Sequence, residues 1–257
     1  SSGIGDSCAV LADRTIRCWG YNASGQLGNG TNVDSSYPVP VVGLSSGVTQ
    51  ISSSLQHTCA RLQSGELRCW GYNIYGQLGD GTSSVRNVPV RISVGGQSVS
   101  NVSAGYYHTC AATNVGSLYC WGYNAYGQLG TSGYTNSATP VPVVNLQGSV
   151  TQVASGFYHT CARYSTGQAA CWGYNAYGQL GNSGSALGSL NPVPLLISDP
   201  LSGVDSITVG NMHTCLLTST GAGRCFGASR VTLLGYSMEC RAACRRAAIS
   251  RAATGGR

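Results

Sequence analysis

Short segments in which apolar residues alternate with small or polar ones follow one another along the chain, separated by Gly-rich turns. Runs 99–105 (Val-Ser-Asn-Val-Ser-Ala-Gly), 150–156 (Val-Thr-Gln-Val-Ala-Ser-Gly) and 204–210 share apolar first and fourth positions and a terminal Gly. Such short runs bounded by turns predict half-buried strands rather than helices. A second strand is predicted from Cys59-Ala60-Arg61-Leu62 and a third over 67–70, running into Cys69-Trp70. A Gly-Gln-Leu-Gly loop then leads to a fourth strand containing Pro40, Pro89, Pro142 or Pro194. Proline has no N–H to give to a ladder, so this fourth strand is predicted at the exposed edge. The small residues of the first strand suit a crowded inner position.

These four strands recur. Cys-Trp-Gly-Tyr-Asn begins at Cys18, Cys69, Cys120 and Cys171, 51 residues apart, and an eroded Cys225-Phe226-Gly227 follows 54 residues later. A fixed period near 50 means one supersecondary unit stacked repeatedly. Units start near residues 3, 54, 105, 156 and 210. Radially arranged four-stranded sheets form a β-propeller, so the predicted fold is all-β, with about four and a half repeats.

Ten of the twelve Cys fall into five identically spaced pairs: Cys8/Cys18, Cys59/Cys69, Cys110/Cys120, Cys161/Cys171 and Cys215/Cys225. Between partners lies a hairpin whose loop ends on Gly65, Gly116, Gly167 or Gly221, the residue expected to take positive φ in a G1 bulge. The first unit has Arg14 there, which implies strain or another turn. Counting outward sets each Cys opposite its partner, at a site where Cα atoms approach to about 4.5 Å. Five cross-strand disulfides are predicted, each stabilising by roughly 2–3 kcal/mol. Their density points to an oxidising compartment, extracellular or at the cell surface. Two other readings exist. Reduced Cys fill small core positions, or His57, Cys59 and Cys69 and their counterparts hold zinc. The first unit has Asp6 in place of the His and no fourth ligand recurs, which disfavours a metal.

Charge changes the picture in one place. Only 9% of residues are charged, and every basic residue is Arg. Residues 1–235 hold nine Arg against seven acids, while 236–257 hold five Arg and one Glu. A near-neutral repeat body argues against a nucleic-acid partner, whose phosphates need clustered cations. No apolar run reaches 18 residues, so no membrane span is expected. The chain begins at Ser1 without Met, and is expected to be processed or excised from something longer.

Gly-x-x-His-Thr-Cys, from Gly105, Gly156 and Gly210, then Cys-Trp-Gly-x-Asn-x-x-Gly-Gln-Leu-Gly, resembles the repeat of the regulator of chromosome condensation family. The loop motif is intact at Gly25-Gln26-Leu27-Gly28 and at 76–79, 127–130 and 178–181, and the resemblance covers residue 3 to about 235. It implies a propeller, usually seven-bladed. The founding member is a nuclear exchange factor for a small GTPase, and many relatives are scaffolds, receptors or secreted binders. Cys-Trp with a paired upstream Cys looks like the secreted or cell-surface branch. Seven such units need roughly 357 residues against 257 here. An incomplete, open arrangement is therefore expected, with a five-bladed ring as the alternative. The tail 236–257 reads as a separate basic segment. Ser237 is placed to cap a helix over 238–251 that would set Cys240 and Cys244 on one face; a solvated, partly disordered tail is the equal alternative, and an acidic polymer is a lesser partner reading.

Little in the repeats suggests catalysis. His57, His108, His159 and His213 are candidate general bases, but no nucleophile with a separate acid recurs beside them. Their expected job is a hydrogen bond between neighbouring blades. No paired carboxylates and no Gly-Lys-Ser loop occur, so neither enzymatic activity nor a cofactor is expected. Tyr75, Tyr126 and Tyr177 occupy one equivalent loop position, three residues after Tyr72, Tyr123 and Tyr174. They form a candidate rim for protein or glycan; the alternative is that they wedge adjacent blades together. Asn73, Asn124 and Asn175 are expected to form turns. Glycosylation sequons begin at Asn22, Asn29 and Asn101. The function expected is a non-enzymatic extracellular scaffold engaging a protein partner or copies of itself. A carbohydrate-binding module is the alternative, and small-GTPase exchange the third reading.

Overall fold

The computed structural model describes residues 1–3, 5–182, 186–197, 203–228, 230–233 and 236–239. Blade 1 consists of β1 (Asp6–Val10), β2 (Ile16–Gly20) and β3 (Ser35–Pro40). Blade 2 holds β4 (Val48–Ser53), β5 (His57–Leu62), β6 (Leu67–Gly71) and β7 (Arg86–Ile92). Blade 3 holds β8 (Val99–Ala104), β9 (His108–Thr113), β10 (Leu118–Gly122) and β11 (Ser137–Pro142). Blade 4 holds β12 (Val150–Ser155), β13 (His159–Tyr164), β14 (Ala169–Tyr174) and β15 (Leu190–Leu196). Blade 5 has β16 (Val204–Val209), β17 (His213–Thr218) and β18 (Gly223–Gly227), and a hairpin of β19 (Arg230–Leu233) and β20 (Tyr236–Glu239) follows.

Each blade is an antiparallel meander in chain order, with the Pro-bearing strand outermost in blades 1 to 4. Among the described residues three blades are therefore four-stranded and two are three-stranded. The inner strands β4, β8, β12 and β16 lie side by side, and each blade meets its sequence neighbours. In blade 1 the inner strand is represented by Ser1 and Ser2. Ser1 Oγ accepts the Ser53 N–H at 2.8 Å, as Ser52 Oγ accepts from Ala104 and Ser103 Oγ from Ser155 one and two blades later.

The hairpins follow the predicted geometry. Gly65, Gly116, Gly167 and Gly221 have φ between 80° and 85°, and Arg14 takes φ 62° in the same turn. Each Cys of a pair faces its partner in the register of the second and third strands. Five disulfides join them across Cα–Cα distances of 4.1 Å.

The core is divided into four clusters, one at each junction between blades. Trp70, buried beside Leu27, Val41 and Val48, fills the first; Trp121 fills the second and Trp172 the third. In the fourth the smaller Phe226 packs only partly buried beside Leu180, Val204 and Ile207. Stability is thus built from neighbour contacts, as in other repeat proteins.

The tail departs from expectation. Ser237 and Met238, read as the cap and start of a helix, lie in β20, which pairs with β19 from Leu233↔Tyr236 to Arg230↔Glu239. Backbone pairing outweighs the local helix preference of a Ser-Met-Glu stretch. The rest of that expected helix, with Cys240 and Cys244, lies outside the described residues. Among the described residues no helix is long and apolar enough to cross a membrane.

Candidate functional site

One hydrogen-bonded relay is repeated at successive blade junctions. At the junction of blades 3 and 4, the Thr160 hydroxyl donates to the Gln128 carbonyl at 2.9 Å, and Trp172 Nε1 donates to the same oxygen at 2.9 Å. His108 Nε2 stands 2.9 Å from Thr160 Oγ1. The Thr proton is already directed at Gln128, so the imidazole donates from Nε2 and keeps its lone pair on Nδ1. His57 meets Thr109 at 2.9 Å and His159 meets Thr214 at 3.0 Å in the same way. His57, His108 and His159 therefore bond between neighbouring blades. Burial holds His57, His108 and His159 neutral, lowering each pKa to about 3. Asp6 takes the His position in blade 1. Burial raises its carboxyl to about 7, and neither oxygen has a hydrogen-bond partner among the described residues.

The Gly-Gln-Leu-Gly loops are fixed from within. Asn73 Oδ1 accepts the Leu78 N–H at 2.9 Å while its Nδ2 donates to the carbonyls of Thr82 and Ser84. Asn22 and Asn124 do the same. Gln77 and Gln128 are equally buried, their Oε1 atoms accepting the N–H of Tyr75 and Tyr126 at 3.0 Å. Asn22 is 0% exposed, and its Nδ2 donates to the Thr31 and Val33 carbonyls at 3.0 Å. A glycan there is incompatible with the folded loop, which corrects the sequence reading. Asn101 is half-buried on an inner strand, accepting the Val153 N–H, an unfavourable place for a glycan. Asn29 is half-exposed on a loop and stays an acceptor candidate.

These loops carry an aromatic layer. Tyr75 packs edge-on against Tyr107 of the next blade with ring centroids 5.0 Å apart, and Tyr126 packs against Tyr158 at 4.5 Å. Tyr72 also meets Tyr107, Tyr123 meets Tyr158, and Tyr106 meets Phe157 at 4.2 Å. Tyr75 and Tyr126 thus wedge neighbouring blades. Tyr177 does not join them: the position of Tyr107 and Tyr158 is Met212 in blade 5, and Tyr177 is 55% exposed. Burial, then neighbouring phenols, raises the pKa of Tyr72, Tyr123 and Tyr158, and burial with a hydrogen bond to Tyr106 pushes Tyr107 up to about 12. Phenols are protonated at physiological pH, so the layer is electrically neutral. The sequence reading missed Tyr106, Tyr107, Phe157 and Tyr158. Their signal was the aromatic pair before His108 and His159.

No group of three or more His, Cys, Asp or Glu among the described residues is placed to hold a metal ion.

Comparisons with known proteins match this architecture. The family profile described as the RCC1-like domain matches residues 1–252. The Ultraviolet-B receptor UVR8 of Arabidopsis thaliana is 34% identical over 219 residues, covering 83% of this chain and 49% of that protein. The human probable E3 ubiquitin-protein ligase HERC6 is 32% identical over 249 residues, covering 92% of this chain and 24% of the ligase. Among solved structures, Prp20p from Saccharomyces cerevisiae superposes with a TM-score of 0.74 at 17% identity, covering 88% of this chain and 57% of that one. The chain spans about half the length of UVR8 and a quarter of HERC6.

Proposed function

Because the chain belongs to the RCC1-like domain family, we propose that it is a non-enzymatic protein-interaction scaffold in an oxidising, extracellular or cell-surface compartment. One observation carries the reading: the repeated imidazoles hold the joints between blades. His57, His108 and His159 each grip a Thr of the next blade and stay neutral, too weakly basic to take up a proton near neutral pH. The result is a stiff row of blades carrying neutral loops, suited to presenting a surface to a partner. Five disulfides, one per blade, support the oxidising compartment. A structure described with binding properties to Gsp1p and histones shares the fold, which supports a protein partner here.

Small-GTPase exchange is the second reading, favoured by that same fold likeness. Near-neutral repeats and paired Cys weigh against it. Native mass spectrometry of the protein drawn from its source in thiol-blocking buffer tests the scaffold. A discrete assembly of fixed stoichiometry, heavier than the single chain, is expected. A bare monomer, or accelerated nucleotide release from a small GTPase on addition of the chain, overturns it.

A further inference from the structure

The inner strands of the blades border a cleft of about 340 Å³ whose lining includes Ser52, Ser103, Gly105, Tyr106, Gly156 and Phe157. No lining residue carries a charge. Ser52 and Ser103 each accept a backbone N–H from the neighbouring inner strand at 2.9 Å, and their own hydroxyl protons meet no acceptor among the described residues. Tyr106 and Phe157, half-buried with centroids 4.2 Å apart, set an aromatic pair across the junction of blades 3 and 4.

A second observation concerns the buried imidazoles. Nδ1 of His108 and of His159 is a lone-pair acceptor, fully buried and without a partner among the described residues. Each ring lies behind a lining glycine: a Cβ on Gly105 would come within 2.7 Å of His108 Nδ1, and one on Gly156 within 2.7 Å of His159 Cε1. In blade 2 the same position is Ser54, whose hydroxyl donates to His57 Nδ1 at 3.0 Å. In blade 2 a side-chain hydroxyl thus satisfies this nitrogen. The chain cannot supply one at residue 105, because a Cβ there would also stand 2.4 Å from the His108 ring.

We propose that this axial cleft binds a neutral oligosaccharide. Its hydroxyls accept from Ser52 and Ser103, while the apolar face of a sugar ring lies on Tyr106 and Phe157. A hydroxyl donates and accepts at one atom, matching a lining that offers both roles without charge. A polypeptide separates donor and acceptor along its backbone and fits less well. The inference does not rest on the scaffold reading, and either can fail alone.

Saturation-transfer difference NMR on the full disulfide-intact chain tests it, with cellotetraose, chitotetraose, maltotetraose and mannotetraose as probes and tetragalacturonate as the charged control. At least one neutral probe is expected to give a saturable signal, weakened about tenfold by Tyr106→Ala and several-fold by Ser103→Ala, and unchanged by Tyr177→Ala. Near-UV circular dichroism checks that each variant folds; if Tyr106→Ala does not, Ser103→Ala decides. The proposal fails if no neutral probe saturates, if both cleft variants bind as the parent does, if tetragalacturonate binds equally, or if only peptides occupy the cleft.

Discussion

His108 Nε2 and Thr160 Oγ1 lie 2.9 Å apart across the boundary between blades 3 and 4, and this contact fixes the protonation of everything around it. The Thr160 hydroxyl donates to the Gln128 carbonyl, which also accepts from Trp172 Nε1. Three side chains and one backbone carbonyl from two blades thus share one chain of donors and acceptors. Thr160→Val keeps the shape and leaves the imidazole N–H buried without an acceptor. A loss of about 2–3 kcal/mol is expected in a denaturant titration. A loss below about 0.5 kcal/mol would show that packing alone holds the junction.

The relay also sets a pH profile. Each of His57, His108 and His159 has its pKa lowered from 6.5 to about 3, so its contribution is full above pH 6.5 and is lost as pH falls toward 3. The cost is on the order of 3–5 kcal/mol per residue. Asp6 acts in the other direction. Its pKa rises from 3.8 to about 7, so its contribution is full below 3.8 and is lost as pH rises through 7. The melting temperature should peak between these limits. Asp6→Asn should flatten the alkaline limb and His108→Gln should shallow the acid limb. An unchanged profile in both variants contradicts the assignment.

Much of this was legible because repetition separates requirement from accident. The 51-residue period, Cys pairs facing across a hairpin and proline on the last strand each follow from local geometry, and recurrence multiplied their weight. The aromatic layer was half legible. Tyr75 and Tyr126 stood out by recurrence, but their partners Tyr107 and Tyr158 occupy a position that is Gln56 in blade 2 and Met212 in blade 5. A contact between loops about 30 residues apart, with one side varying, leaves no period to read. The tail failed differently: Ser237 and Met238 obey a pairing with β19 that propensity does not register.

Glycine at the loop end makes room for tryptophan. Gly130 has φ 70°, and a Cβ there would stand 2.7 Å from Trp172 Nε1. Gly130→Ala should cost about 2–4 kcal/mol and shift tryptophan emission to the red as the ring loses its seat. Gly133, with nothing within 4 Å of an added Cβ, is the control, and Gly133→Ala should change stability by less than about 0.5 kcal/mol. Equal effects at both sites would count against the close approach.

The two roles of the tyrosine loops can be separated. Tyr126→Ala removes a ring wedged between Tyr123, Tyr158 and Tyr174, and should cost about 2–3 kcal/mol by thermal melting. Tyr177→Ala removes a largely exposed ring and should be close to neutral. Similar losses would mean that the aromatic contacts contribute little beyond their area.

The account rests most directly on the five bonds that staple the second strand of each blade to the third. Protein from its natural source, unfolded without reductant in the presence of an alkylating agent, should show none of the ten repeat cysteines modified, from Cys8 to Cys225, when its mass is read. Alkylation of all ten would place the chain in a reducing compartment and remove the ground for an extracellular scaffold.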